Sequence, residues 1–329
     1  MRMLIHIMII VCFSHIVHAE NTAVTKVATS AANWLKIESG VRGISMGGSQ
    51  VASGRGMTGV HYNPASVAFI KSSEVFYSKS SYLAEISHNT LAYGTRLSTT
   101  DYFGIHLFYL NSGPMLVTSE ADPNGESGET FTVMNLSLRL TYARHLTDRL
   151  RVGGSLKYIR EQIFDTRMQS FLFDIGSNFD TGIYGIILGM SVSNFGPEVQ
   201  FQGEGLEVSV SESTAVTGQL AKITKKFAVP LTFRLGLQKD IFGNEETTHY
   251  LTASVDAINP IDYTMHYGAG LEYSWSGLAF IRAGSRLGHD TAGVSFGGGL
   301  KIRGIMVDYA YVNYGILTET HQFGISLDF

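Results

Sequence analysis

Cysteine is nearly absent from this chain: one residue in 329, Cys12. That excludes a disulfide framework and any zinc site built on thiolates. Proline occurs only six times, at Pro64, Pro114, Pro123, Pro197, Pro230 and Pro260. Long apolar runs are missing too. Beyond the N-terminal segment no stretch reaches the ~18 apolar residues that a membrane-spanning helix needs. Charged residues amount to 16% and the net charge is -4, which gives no sign of a nucleic-acid partner. His61, His88, His106, His145, His249, His266, His289 and His321 are scattered. No two share metal-ligand spacing on one helix, so neither a metal nor another cofactor is expected.

What is present points to export. Arg2 supplies a positive charge, Met3–Phe13 is mostly apolar, and Val17-His18-Ala19 has the small residues of a cleavage site. Residues 1–19 are therefore expected to be a signal peptide. Cys12 would leave with it. The composition is rich in Gly (36), Phe (19) and Tyr (16), and the mean hydropathy of +0.10 is nearly neutral. Transmembrane barrels fall in that range, because their outer face is apolar and their lumen polar.

From about residue 73 the pattern is period two. Leu150, Val152, Gly154, Leu156 and Tyr158 share one face, and Arg151, Gly153, Ser155 and Lys157 the other. Leu231, Phe233, Leu235 and Leu237 oppose Thr232, Arg234, Gly236 and Gln238. The last nine residues alternate to the end, with Phe323, Ile325, Leu327 and Phe329 on one face. An aromatic terminus on such a strand is the usual ending of bacterial outer-membrane barrels. Strands are placed at about 73–81, 88–98, 102–111, 132–144, 149–161, 170–179, 184–194, 230–240, 247–257, 263–274, 278–287, 291–302, 304–313 and 321–329. All six prolines avoid strand interiors, where the missing donor would break the ladder. The two longest gaps, 112–131 and 195–229, both follow odd strands. They fall on the same side as each other and opposite to short turns such as Arg303-Gly304.

The expected fold is all-β: a transmembrane antiparallel β-barrel of about 14 strands. Its domains would be a signal peptide (1–19), an N-terminal helical and irregular plug in the lumen (20–72) and an outer-membrane barrel (73–329). Within the plug, Ala23–Ser39 reads as a short helix and Gly40–Gly59 as irregular.

Several segments resemble the PorV/PorQ group of outer-membrane proteins, which includes spirochaete members and is related to the FadL fold. The most specific are Trp34-Leu35-Lys36-Ile37, Gly40-Val41-Arg42, Met46-Gly47-Gly48, Val51-Ala52 and Tyr62-Asn63-Pro64-Ala65. Others are Gly153–Ile159, Ser193-Asn194-Phe195-Gly196-Pro197 and Val307-Asp308-Tyr309-Ala310-Tyr311. The likeness implies a fourteen-stranded outer-membrane barrel whose N-terminal segment enters the lumen. It implies one of two functions: a non-catalytic shuttle for secreted cargo proteins, working with type IX secretion subunits, or a FadL-like conduit for a hydrophobic ligand. Where the group often has an acidic pair after Val-Ala, this chain has Ser53-Gly54-Arg55-Gly56.

The candidate plug or gate residues are Arg42, Gly47, Gly48, Asn63, Pro64 and Ala65. Asn63 combines a donor with an acceptor and Pro64 fixes φ, so the trio suits either a gate contact or a structural turn. Candidate lumen charges are Arg96, Arg139, Arg151, Lys157, Arg234, Arg282, Lys301, Arg303 and Asp308. They would bind an anionic headgroup, select ions, or tie the plug to the wall. In the long gap after strand 7, Glu198, Glu204, Glu207 and Glu212 precede Lys222, Lys225 and Lys226. With Leu206, Val208 and Val210 alternating, the segment reads as a hairpin or a solvated loop. Gly43-Ile44-Ser45-Met46-Gly47 matches a nucleophile elbow, but lacks the strand-turn-helix setting that the motif requires. Gly54–Gly59 matches a dinucleotide fingerprint without the following helix. No enzyme is expected.

Overall fold

The computed structural model describes residues 29–211, 217–221 and 223–329. The expected signal peptide, the start of the plug, Glu212 and Lys222 lie outside them. Fourteen strands make the wall: β1 Ser73–Ser81, β2 Ser87–Arg96, β3 Asp101–Asn111, β4 Val133–His145, β5 Leu150–Ile163, β6 Thr166–Asp180, β7 Ile186–Phe195, β8 Thr232–Phe242, β9 His249–Pro260, β10 His266–Trp275, β11 Ala279–Leu287, β12 Val294–Ile302, β13 Ile305–Asn313 and β14 Glu319–Asp328. Each pairs antiparallel with the next. β14 returns to β1 in register from Glu74↔Asp328 to Ser81↔His321, which closes the barrel.

Alternation decides which face is which. Leu156, Phe173, Phe233, Leu271, Phe296 and Phe323 are exposed, while Lys157, Asp174, Arg234, Glu272 and Gln322 are buried between them. An apolar outer belt around a polar interior is stable only in lipid, where closure also satisfies every strand edge. The long connections, 112–132 and 196–231, emerge at one end. This loop end faces outward in a bacterial barrel, and the turn end faces the periplasm. Of the two readings of the second loop, hairpin or solvated loop, the hairpin is present, Glu207–Ser211 on Thr217–Ala221.

β6 begins four residues earlier than its alternation indicated, because the outward positions Arg167 and Gln169 are polar yet continue the β5 ladder as far as Ile163↔Thr166. The ladder shifts register between β8 and β9 at Asp240–Phe242, and also between β6 and β7. Ile175 pairs with Val192, but Phe173 pairs with Phe195, so β7 carries one extra residue. Asn194 absorbs it with a left-handed φ of 64°. Above this bulge, the β7 side of β6 meets the loop instead: Gly196 packs on Leu172, and Gln202 pairs with Arg167.

The plug begins at the loop end and runs through the lumen to β1 at the turn end. The Ala31 N–H donates to the Ala228 carbonyl of the long loop (3.0 Å). Trp34 stacks on Phe108 and donates to Glu161 (2.9 Å). The helix expected through Ser39 does not form over the described part; only a 3₁₀ turn, Asn33–Lys36, is present. Its preceding residue, Ala32, sits at φ 53° and Ile37 is extended, so the helical ladder has no continuation on either side. The Gly-rich stretch instead contains a short α-helix, Val41–Ser45, and a 3₁₀ turn, Gly56–Gly59. From Ser39 to Val60 every residue is buried except Arg42, Arg55 and Thr58. At the seam between β1 and β14, Ser78 and Gln322 both donate to the Ser39 carbonyl, each at 3.1 Å.

Candidate functional site: the plug, its wall contacts and the outer mouth

The plug touches strand backbone directly. A Cβ on inward-facing Gly176 would lie 2.0 Å from Asn63 Oδ1, and one on Gly189 2.3 Å from the Val51 carbonyl. On Gly284 it would lie 2.1 Å from the Gly47 nitrogen. Many of the wall glycines therefore trace the plug's footprint, with no side chain between the two backbones. Gly47 turns away from the helix at φ 66° and donates its N–H to Ser295 Oγ (3.1 Å). Gly48, at φ 80°, is crowded by the Glu38 carboxylate.

Asn63, Pro64 and Ala65 come together as one anchor. Asn63 is the cap of the 3₁₀ turn Pro64–Phe69, and its Oδ1 accepts from the Ala65 N–H (3.0 Å). Its Nδ2 donates to the Val51 carbonyl (2.8 Å) and to the Ser177 carbonyl on β6 (2.9 Å). The fixed φ of Pro64 suits the first position of such a turn.

Of the nine expected lumen charges, Arg139 and Arg151 meet the plug directly, while Lys157, Arg234, Arg282 and Asp308 bond within the wall. Arg42 makes two hydrogen bonds to Glu272 on β10 (2.8 and 2.9 Å) and reaches Gln50 and the Ser53 carbonyl. Arg282 bonds the same Glu272 and also Asp308. Arg139 donates to the Val60 carbonyl (3.0 Å) and pairs with Asp174 (3.2 Å). Lys157 pairs with Asp174 (2.9 Å) and donates to Asn194 Oδ1 (2.6 Å), fixing the bulge. Arg151 lies 4.2 Å from the ring centroid of Phe69 in the plug, with Arg55 over the same ring at 4.0 Å. Arg55, which stands where the resembled group has carboxylates, donates to Gln238 on β8 (2.7 Å).

Three expected lumen residues fall elsewhere. Arg96 has inward parity but sits exposed at the turn end, bonded to the carbonyls of Ser98 and Thr99. Arg303 is a turn residue at φ 52°. Lys301 pairs with Asp328, both partly exposed at the turn end. Arg96 is the last residue of β2, Lys301 stands one residue before the end of β12, and Arg303 lies just beyond it. The acidic partners were missed: Asp174, Glu272 and Asp256, which accepts from the Val51 N–H (2.8 Å). Inward parity was the available signal, as Asp174 between Phe173 and Ile175 shows. Ser45, in the elbow match, gives its hydroxyl to the Arg42 carbonyl (2.8 Å).

Two cavities flank the plug. At the turn end one of about 770 Å³ is lined by Arg42, Arg55, Glu272, Arg282 and Phe329. At the loop end the mouth holds about 390 Å³, lined by apolar Ile37, Tyr82, Leu83, Ile258, Tyr314 and Leu317 together with charged Lys36, Glu38, Arg234 and Arg286. Charges frame the mouth in pairs: Lys36 with Asp262 (2.9 Å) and Glu38 with Arg286. Arg234 reaches Ser193 (3.2 Å) and leaves its buried Nε without a hydrogen-bond partner. Beside the mouth, His266 meets Tyr263 and His289 edge to face, and the rings of Tyr263 and His289 are tilted at 46°. Burial, then the nearby Arg286, pushes the His289 pKa below its ordinary value. Among the described residues no cluster of three His, Cys, Asp or Glu is placed to hold a metal.

No family model matches the sequence, and no curated protein does. Solved structures do resemble the fold. The toluene transporter TodX of Pseudomonas putida superposes with a TM-score of 0.56 at 13% identity, over 88% of this chain and 96% of that one. The monoaromatic hydrocarbon channel CymD gives 0.57 at 14% identity, over 88% and 96%. A FadL homologue of Pseudomonas aeruginosa gives 0.52 at 11% identity, over 88% and 98%. The chain thus has the fold of the FadL-like outer-membrane barrels, across nearly its whole described length.

Proposed function

We propose that the protein is an outer-membrane channel for small hydrophobic compounds, the second of the two functions that the sequence resemblance implies. One observation carries this reading: the mouth cavity, where Ile37, Tyr82, Leu83, Ile258, Tyr314 and Leu317 offer an apolar surface among charged residues that include the Glu38–Arg286 pair. About 390 Å³ lies within the range of small-ligand sites. The fold shared with barrels described as hydrocarbon channels supports it. The plug closes the straight path, so passage requires either its displacement or an exit through the wall. The interrupted β6–β7 pairing at Asn194 offers the weaker place for an exit.

The cargo-shuttle reading has only the sealed lumen in its favour, and none of the structures compared above is a secretion protein. A binding experiment separates the two. Purified protein in detergent is titrated calorimetrically with a monoaromatic hydrocarbon and with a long-chain fatty acid. Saturable binding of either, weakened by Ile258→Glu in the cavity, is the expected result. Binding of neither, with a secreted protein co-purifying from outer membranes, would return the function to the shuttle.

A further inference from the structure

The outward face of β5 and β6 changes character abruptly toward the loop end. Its cross-strand rows, read upward, are Leu156↔Phe173, Tyr158↔Phe171, Arg160↔Gln169 and Gln162↔Arg167. Phe173 and Phe171 are 50% and 57% exposed, as lipid-facing aromatics are. One row higher the face is cationic and amide-bearing. The step from Phe171 to Gln169 therefore marks the upper limit of the hydrocarbon, and the rows above stand among lipid headgroups.

At that level lies a polar pocket of about 880 Å³. The wall contributes Arg160, Gln162, Arg167 and Gln169, and the loop brings Gln202 and Lys226 across from them. Arg160 donates one bond to Gln162 (2.8 Å), while its Nε is buried with no hydrogen-bond partner. Among the described residues neither Arg167 nor Lys226 appears in any ion pair. Three carboxylates, Asp165, Glu198 and Glu204, also line the pocket. Cations suit a phosphate, and carboxylates with side-chain amides suit the hydroxyls of a sugar.

Below it on the same lipid-facing wall is an apolar dent of about 660 Å³. Ile175, Met190, Phe233 and Leu235 surround it, and the small Ser177 and Ala257 leave it hollow. Phe171, Phe173 and Ile175 form a continuous outward line from pocket to dent. From Gln169 to Ile175 is six residues, roughly 20 Å along the strand. At a barrel tilt near 40° this is about 15 Å of depth, close to one leaflet of hydrocarbon.

We infer that this face binds a phosphorylated glycolipid of the outer leaflet. The phosphate sits between Arg160, Arg167 and Lys226, the sugar hydroxyls meet the carboxylates and amides, and an acyl chain follows Phe171 and Phe173 into the dent.

The test is native mass spectrometry of the full-length barrel in detergent, titrated with lipid A, enzymatically dephosphorylated lipid A and inorganic phosphate. Lipid A is expected to bind one to one and at least about tenfold more tightly than the dephosphorylated lipid. Arg160→Gln with Arg167→Gln should abolish that preference, and Lys226→Gln should reduce it. Heat-shifted gel mobility reports whether each variant is folded. Val192→Trp, which fills the dent, should weaken lipid A without changing its preference for phosphate. Equal binding of the two lipids, retention of the preference in folded variants, or binding of inorganic phosphate with none of lipid A would each overturn the assignment.

Discussion

The side-chain amide of Asn63 donates to the carbonyl of Ser177, 2.9 Å away across the boundary between plug and wall. The same side chain caps a turn and holds the Val51 carbonyl. Asn63→Ala removes the cap and leaves two buried carbonyls with one partner fewer, a loss of roughly 2–4 kcal/mol. The β-ladders stay intact. The expected outcome is a barrel that still inserts and shows heat-shifted mobility, but with a lower thermal midpoint and a raised single-channel conductance. Unchanged conductance would mean that the anchor does not hold the plug.

The wall glycines predict a contrast. Gly284→Ala places a methyl about 2 Å from backbone of the plug, and neither backbone can yield cheaply. Gly154→Ala, on the lipid face, meets nothing nearer than 3.9 Å. The first variant should admit large antibiotics that wild-type cells exclude, whereas the second should behave as wild type. Growth inhibition by a bulky hydrophilic antibiotic reads the difference.

Lys157 is buried and serves both Asp174 and the bulge residue Asn194. Lys157→Met leaves Asp174 with Arg139 as its one remaining ion-pair partner among the described residues and takes the donor from Asn194 Oδ1, while the bonds of Asn194 to Asp174 and Pro230 remain. Breaking a buried pair costs roughly 3–5 kcal/mol, and the remaining arginine should hold this case near the lower figure. Urea titration of refolded protein in detergent should show the midpoint move down. Hydrogen exchange should rise first in β6 and β7.

The loop latch beside the mouth predicts a pH effect. His289 Nδ1 accepts from the N–H groups of Thr291 (3.3 Å) and Ala292 (3.1 Å), which the doubly protonated ring cannot do. The groups around it are Tyr263, His266, Asp290, Arg286, Lys36 and Glu38. Because burial lowers its pKa, the folded loop binds fewer protons than the open one. Its stability is then full above the ordinary histidine value, about 6.5, and declines as the pH falls toward the depressed value. Amide exchange at Thr291 and Ala292 should accelerate over that interval. His289→Asn should flatten the response.

The wall was legible in the sequence because alternation fixes a strand's face independently of its neighbours. Phe233 against Arg234, or Phe296 against Ser295, needs no tertiary information. The ends were less legible. Arg96 keeps inward parity at the last paired position of its strand and Arg303 just past the end of its own, and the place where pairing stops is set by the adjacent strand. The plug was legible only as a list of residues. Its path depends on a left-handed Ala32 and on glycines that are far away in sequence, and neither leaves a local periodic signal. The β7 bulge was hidden as well, because Asn194 takes its strained φ only when Asp174 and Lys157 stand opposite.

Ser39 offers one carbonyl to both Ser78 and Gln322, which belong to the first and last strands. Those strands become neighbours only when the chain has been fully made, yet the residue between them is near the beginning. The order of events in assembly is thereby constrained. The clasp forms only where the N-terminal segment lies along the inner surface as the first and last strands pair. The final pairing then zips over a lumen that is already filled. A chain whose N-terminal segment came too late would close around water, and it would lack the bond that clasps its two edges.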